Sequence, residues 1–438
     1  MKWILLGAIA AFVTAPAAAR LTPGEARIAA TVAAEEARTV ALLERLVNQN
    51  SGTMNLAGVE AVAEMLRAEF EPLGFTTRWI PRHDTARAGH LIAHHRGRGR
   101  GKRLLLIGHL DTVFELDSPF QRFVRVGHEA HGPGAGDDKG GIVVMLAALR
   151  AMRAAGTLKV ADITVVLTGD EEDSGLPIEL ARRDLIAEGR QADVALDFEG
   201  LSRVGGPGLA QRDMGVVARR GSTNWTVTTT SKPGHSSGVF STESGYGANY
   251  ELVRILDAFR RELTDDKLTY NVGLMGGGAA ATLDTDQIRL NAQGKTNIIA
   301  AQAVARGDLR ALTPGQLDRT VARMRAIVAA ALPGASATIM FDDDAYPPMP
   351  PTAGNRALLA ALNRVNVDLG LAPQEELDPL KRGAGDISFV AADVDGLVGL
   401  GPFSSGDHTV EETVDLSSIP LQARRAAILM SRLAAEQR

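Results

Sequence analysis

The feature that most constrains this chain is an alternation of apolar runs. Residues 104–107 are strand-formers, residues 142–153 form an apolar helical run, and residues 163–167 are strand-formers again. Strand, helix and strand in that order predict a βαβ unit, whose two strands pair in parallel. A helix over 177–188 and a strand over 194–197 continue the pattern. The expected fold is therefore α/β, with a mostly parallel sheet covered by helices. The polar residues fall at the ends of these runs. His109-Leu110-Asp111-Thr112-Val113 follows the first strand, and Gly134-Ala135-Gly136-Asp137-Asp138-Lys139-Gly140-Gly141 precedes the helix. Open α/β sheets bind ligands at the carboxyl ends of their strands. The two stretches read as half of a metal centre.

Length and composition set bounds on the rest. A chain of 438 residues exceeds one ordinary core and predicts two domains or more. With 45% hydrophobic but only 4% aromatic residues, its core must be built from Ala, Leu and Val. The 47 basic and 52 acidic residues show no basic excess, which argues against a nucleic-acid partner. The chain has no Cys, so it forms no disulfide and metal ligands must come from His and carboxylates. At the start, Lys2, an apolar stretch over 4–13 and Ala17-Ala18-Ala19 read as a signal peptide over residues 1–19. The apolar stretch is too short to span a bilayer, and no Cys follows it to carry a lipid anchor. The expectation is a periplasmic or secreted protein without a membrane anchor.

Helices are expected over 24–47 and 58–73, and strands over 75–80 and 90–95. The basic stretch 96–102 reads as a solvated hairpin turn rather than a nucleic-acid patch. Near Gly215 the pattern changes. A strand over 216–230, a helix over 243–262, strands over 269–275 and 297–309, a helix over 317–331 and a strand over 337–341 spell βαββαβ, the order of a ferredoxin-like sandwich. It reads as an insert over 215–345, between the two parts, 20–214 and 346–438, of a catalytic domain. Residues 342–351 form the return linker. Helices over 355–369 and 386–392, a strand over 397–400 and a helix from 418 complete the first domain.

Five candidate ligand positions stand at strand ends or in the loops beside them: His109, Asp137, the run Asp170-Glu171-Glu172-Asp173, Asp197-Phe198-Glu199, and His408 in Gly406-Asp407-His408-Thr409. Carboxylates at neighbouring strand ends repel unless cations neutralise them. Two divalent ions would be balanced in large part by Asp137, Glu172 and Glu199, with the neutral imidazoles of His109 and His408 completing the shells. Oxygen and imidazole donors without sulfur suit zinc first, with cobalt or manganese as alternatives.

The set His-x-Asp-Thr-Val, Gly-x-Gly-x-Asp-Asp-Lys-Gly-Gly, Asp-Glu-Glu, Phe-Glu and a late Gly-x-His resembles the zinc-dependent exopeptidase and aminoacylase family that includes bacterial glutamate carboxypeptidase and acetylornithine deacetylase. The resemblance covers nearly the whole chain after residue 19. It implies that Asp137 bridges two metals, that His109 and Glu199 bind one, and that Glu172 and His408 bind the other. It implies that Asp111 orients the His109 ring and that Glu171 is the general base. In such a family the insert is a lid and a dimerisation domain. His235, in Lys232-Pro233-Gly234-His235-Ser236, would stabilise the oxyanion. Asn297 and Arg310 would meet the substrate, Arg310 as a fork for its carboxylate. Gly383 and Gly385 would line it with backbone.

The implied enzyme is a carboxypeptidase-like metallopeptidase or amidohydrolase acting beside a free carboxylate in a small peptide or N-acyl amino acid. An aminoacylase or other N-deacylase is the alternative, and a non-catalytic peptide-binding relative comes after it. One departure bears on the substrate. Glutamate carboxypeptidases carry an arginine in an Arg-Pro-Ala-Phe segment, where this chain has Asp343-Asp344-Ala345-Tyr346. Of the other histidines, His83, His90, His94 and His95 read as surface or strand residues. Lys139 reads as structural and Asp173 as the cap of the following helix.

Overall fold

A computed structural model describes residues 21–205 and 210–438. The signal segment expected over 1–19 lies outside these residues. The central sheet has six strands in the order Thr76–Arg82, Arg87–His95, Asp162–Thr168, Arg103–His109, Val194–Asp197 and Gly396–Leu397. Its first two pairings are antiparallel and its last three parallel, so Arg87–His95 alone runs against the other five strands.

The expected hairpin at 96–102 is instead a crossover, because the Asp162–Thr168 strand inserts between the strands it connects. The amide of Arg98 donates to Lys159 O at 2.9 Å, and that of Gly99 to Val160 O at 3.2 Å. Glycine lets the crossover lie flat there, since a Cβ on Gly97 would come within 2.4 Å of Ala161 O.

The helix Lys139–Ala155 is buried on every side from Lys139 to Met152. That accounts for a sequence apolar all round. One side lies on the sheet, and helices Pro23–Ala34, Glu36–Val47 and Ser418–Leu433 pack against the helix. The single helix expected over 24–47 is broken at Glu35, which caps one piece and opens the next. The helix expected over 386–392 is only a short 3-10 turn, Asp386–Phe389.

The segment between the two parts of this body has a core of its own. Strands run in the order Thr269–Tyr270, Gln302–Ala311, Gly221–Ser231 and Ala335–Phe341, all antiparallel, with Leu274–Gly278 also paired to Gln302–Ala311. Helices Ala248–Glu262 and Pro314–Ala329 cover the sheet, and Trp225 meets Phe259 edge to face at 5.7 Å between centroids. Strand order second, third, first, fourth follows from a βαββαβ chain. A hairpin, Ala280–Leu283 with Leu290–Gln293, is added to it. No described helix is long and apolar enough to cross a membrane.

Candidate metal centre

Strand register assembles the centre. His109 ends its strand level with Thr168, and Ile107 is level with Asp197. The chain leaving each strand therefore delivers His109, Glu171-Glu172 and Glu199 to one edge of the sheet. A small four-stranded sheet brings in the last element. Thr413–Asp415 pairs with Glu129–His131 on one side and with Ser404–Ser405 on the other, so the His408 loop stands over the Asp137 loop.

Asp137 is the hub. Its Oδ1 lies 3.0 Å from His109 Nε2, and its Oδ2 lies 3.2 Å from His408 Nε2. Glu172 Oε2 is 3.1 Å from the same His408 nitrogen. His109, Asp137 and Glu172 offer donor atoms all within 4.8 Å of one another. Burial alone would raise the Asp137 carboxyl, but hydrogen bonds from His109 and His408 hold it well below the usual range. Burial likewise works to lower His109, and Asp111 and Asp137 outweigh it to hold the imidazole well above its usual value. His408 is raised to about 11 by Asp137 and Glu172. Two imidazoles shared among clustered carboxylates stand where cations are favoured.

Asp111 does more than aim a ring. His109 Nδ1 lies 3.2 Å from its carbonyl oxygen and 3.4 Å from its Oδ1, leaving Nε2 turned to Asp137. The buried Asp111 carboxylate also accepts the Glu171 and Glu172 amides, each at 3.1 Å, and the Thr53 hydroxyl at 2.7 Å. It thus ties the acidic loop to the His109 strand. Glu171 lies between two cavities and lines both. Among the described residues its carboxylate makes no hydrogen bond to protein. Burial pushes it well above the usual glutamate range, with Glu199 and Asp386 adding to the effect against the pull of His109.

Glu199 lines the smaller cavity with Asp137 and His408, but two arginines hold it. Arg219 Nη1 is 2.5 Å from Oε1, and Arg382 Nη2 is 3.3 Å from Oε2. The buried Arg219 is braced by Gly383 O and Ala384 O. This explains Gly385: a Cβ there would stand 2.1 Å from Arg219 Nη1 and 2.4 Å from Glu199 Oε1. Gly383 lines the cavity and Gly385 makes room behind it.

The three residues expected from the insert are not brought to these groups. His235 and Asn297 are exposed and adjoin each other, with the Ser236 amide donating to Asn297 O at 3.0 Å. Arg310 Nε donates to Asp308 Oδ2 at 2.9 Å. None of them lines either cavity beside Glu171.

Other residues matter here that motif reading leaves out. Glu412 is 1% exposed, and its carboxylate accepts the amides of Gly134, Gly136 and Asp137 at 3.3, 2.9 and 3.3 Å. Burial raises it to about 8. Its only sequence signal is its position four residues after His408. Arg182, fully buried, joins Asp170 at 2.6 Å to Asp386 at 2.7 Å behind the acidic loop. Asp138 is buried beneath His109 and accepts its amide at 3.3 Å. Asp173 caps no helix; it pairs with Arg87 at 2.8 Å, because helix Ile178–Ala181 begins five residues later behind Pro177. His90 is a strand residue, as expected, and is buried, with Nε2 2.8 Å from Ala181 O.

The sequence matches the model of peptidase family M20/M25/M40 over residues 105–432. The chain belongs to this family. Carboxypeptidase G2 of Pseudomonas sp. (strain RS-16) is 36% identical over 170 residues, 38% of this chain and 40% of that one. A succinyl-diaminopimelate desuccinylase of Leptothrix cholodnii is 31% identical over 209 residues, 45% of this chain and 51% of its own. The chain thus spans about half or less of the length of these two relatives. A desuccinylase of Granulibacter bethesdensis is 29% identical over 348 residues, 76% of this chain and 83% of its own. Among solved structures, a tripeptidase from Staphylococcus aureus shares the fold with a TM-score of 0.71 at 20% identity, over 92% of this chain and 99% of that one. A dinuclear metal-binding M20 peptidase from Bacillus subtilis does so with a TM-score of 0.62 at 14% identity, over 91% and 98%.

One expectation is corrected. The desuccinylase and tripeptidase relatives lend export no support, so a periplasmic or secreted location is withdrawn. Ten apolar residues before a few alanines are a compositional signature that an ordinary terminal segment can share.

Proposed function

We propose that this chain is a two-metal amidohydrolase of the exopeptidase type, cleaving an amide beside a free carboxylate in a small peptide or N-acyl amino acid. The observation that carries the reading is the single Asp137 carboxylate shared between His109 and His408, with the Glu171 carboxylate beside it and unengaged. The donors fit divalent ions: all are imidazole nitrogen or carboxylate oxygen, as zinc, cobalt or manganese accept. His109, Asp137 and Glu199 would hold one ion, and Asp137, Glu172 and His408 the other. Glu199 would then exchange Arg219 and Arg382 for the cation. Two bound ions would polarise the scissile carbonyl and ease deprotonation of the attacking water.

The remaining steps fall to side chains. Glu171 takes a proton from the attacking water onto its carboxylate and later gives it to the leaving nitrogen. Its raised affinity for the proton suits that exchange. Asp111 fixes the amides on which Glu171 and Glu172 turn. In this reading residues 20–214 and 346–438 form the catalytic domain, and 215–345 a lid through which two copies pair. Closure of the lid, or a partner copy, would carry His235, Asn297 and Arg310 to the substrate.

The test is purified protein supplied with zinc, cobalt or manganese and assayed on dipeptides and N-acyl amino acids. Chelator-sensitive hydrolysis supports the reading; less than one metal per chain with no hydrolysis of any substrate overturns it. A deacylase is the second reading, favoured by the desuccinylase that aligns over 83% of its length. Relative rates on acyl and peptide substrates separate the two.

A further inference from the structure

The two cavities that meet at Glu171 differ in charge. The smaller, about 270 Å³, opens beside Asp137, Glu199, Asp407 and His408 and carries Lys381 together with Arg219 and Arg382, the two arginines that hold Glu199. Lys381 is exposed and, among the described residues, makes no ion pair. The larger, about 640 Å³, is walled by His83–Arg87, by Glu171–Ser174, and by Ser222–Asn224 with Asp344 and Tyr346. Its volume lies within the range of small-molecule sites.

The larger cavity keeps surplus negative charge after its ion pairs are matched. Arg87 is neutralised by Asp173 at 2.8 Å. Arg82 serves both Asp84, at 3.3 Å, and Asp184, and Arg183 Nη2 lies 3.8 Å from Asp184, so this cluster is balanced. Arg182, behind the wall, is matched by Asp170 and Asp386. Asp342 takes Arg306, with Oδ1 3.1 Å from Nη1, which leaves Asp344 without an ion pair among the described residues. The Tyr346 hydroxyl is committed to Ser174 at 2.8 Å, Arg182 at 3.0 Å and Glu171 O at 2.9 Å, and adds no positive charge. His83, at the exposed mouth, is the one further titratable base in the wall.

We infer that the larger cavity is a subsite for a cationic side chain of the substrate, a lysyl ammonium or arginyl guanidinium on the acyl side of the scissile amide, with Asp344 as its main partner. This rests on Glu171 being the base, since Glu171 is what divides the two cavities. The substrate carboxylate then lies toward Lys381 and Arg382. A substrate bearing opposite charges at its two ends fits both cavities. One with carboxylates at both ends, such as an N-succinyl amino acid, sets like charges against each other at Asp344.

The experiment compares lysyl-alanine, norleucyl-alanine, glutamyl-alanine and N-succinyl-alanine as substrates of the full chain with each of the three metals, at fixed ionic strength. Lysyl-alanine is expected to exceed norleucyl-alanine in kcat/KM by about tenfold, as for one opposite charge in a solvent-reached pocket. Glutamyl and succinyl substrates come last, and the lysyl advantage shrinks with added salt. In Asp344→Asn the lysyl-to-norleucyl ratio falls toward one, and in Asp344→Lys the order of lysyl and glutamyl reverses. A wild-type preference for the glutamyl, succinyl or norleucyl substrate, or an unchanged ratio in Asp344→Asn, overturns the inference while leaving the amidohydrolase reading intact. Calorimetric binding of lysinamide against norleucinamide decides the inference without turnover. A lysinamide preference lost in Asp344→Asn supports it, and equal binding overturns it even where no substrate is hydrolysed.

Discussion

The Asp137 centre and the His235 turn are both expected to touch substrate, yet they are held very differently. Asp137 sits in a loop whose amides at 134, 136 and 137 are clamped by the buried Glu412, and whose carboxylate is bracketed by His109 and His408. Gly234-His235 pairs with Ile298-Ile299 at the surface, beside Asn297, and among the described residues the His235 ring is bonded only locally, 2.8 Å from Ser237 Oγ. One region is preorganised by the fold. The other is exposed and needs a second body, substrate or protein, to give it a place. Rigid placement suits metal ligands, whose geometry tolerates little error, and exposed placement suits groups that arrive after binding.

The contrast can be broken in four ways, in falling order of effect. Glu171→Gln should lower kcat by about 10³-fold, within the span of general-base losses, and keep both metals by elemental analysis; retained turnover places the base elsewhere. His235→Ala should cost about 10²-fold in kcat, as for removal of one oxyanion donor, while metal content is unchanged. Mixing it with Glu171→Gln chains should restore activity if the histidine crosses between copies, and no recovery limits it to its own chain or to no role. Glu412→Gln should weaken metal affinity by about tenfold, in the range of residues that position ligands, read by competition with a chelating dye; unchanged affinity makes the clamp a matter of folding alone. The smallest and most diagnostic effect is on pH. Burial raises Glu171, and the base must be deprotonated to work, so kcat/KM should fall as pH drops through a value above the usual glutamate pKa of about 4.3. An acid limb at or below that value separates the limb from Glu171.

Much of the centre was legible because its residues stand directly after strands, where a period-two apolar run stops and polar types begin. His109, Glu171 and Glu172 are of that kind, while Asp137 and His408 stand out in glycine-bearing loops. Glu412 and Arg219 were not legible, because their partners are backbone atoms and carboxylates far away in the chain, and nothing local distinguishes them from other charged residues. The crossover at 96–102 was misread for a related reason. Periodicity reports that two strands exist but not that a third, at 162–168, will lie between them. The break at Glu35 left no glycine or proline mark in the sequence, and the turn of the added hairpin, 284–289, holds neither residue.

The small sheet joining Glu129–His131 to Thr413–Asp415 has a consequence for biosynthesis. His109 and Asp137 leave the ribosome early, while His408 and the Glu412 clamp come nearly 300 residues later. A growing chain thus carries His109 and Asp137 well before the strands that bring in His408 and Glu412 exist.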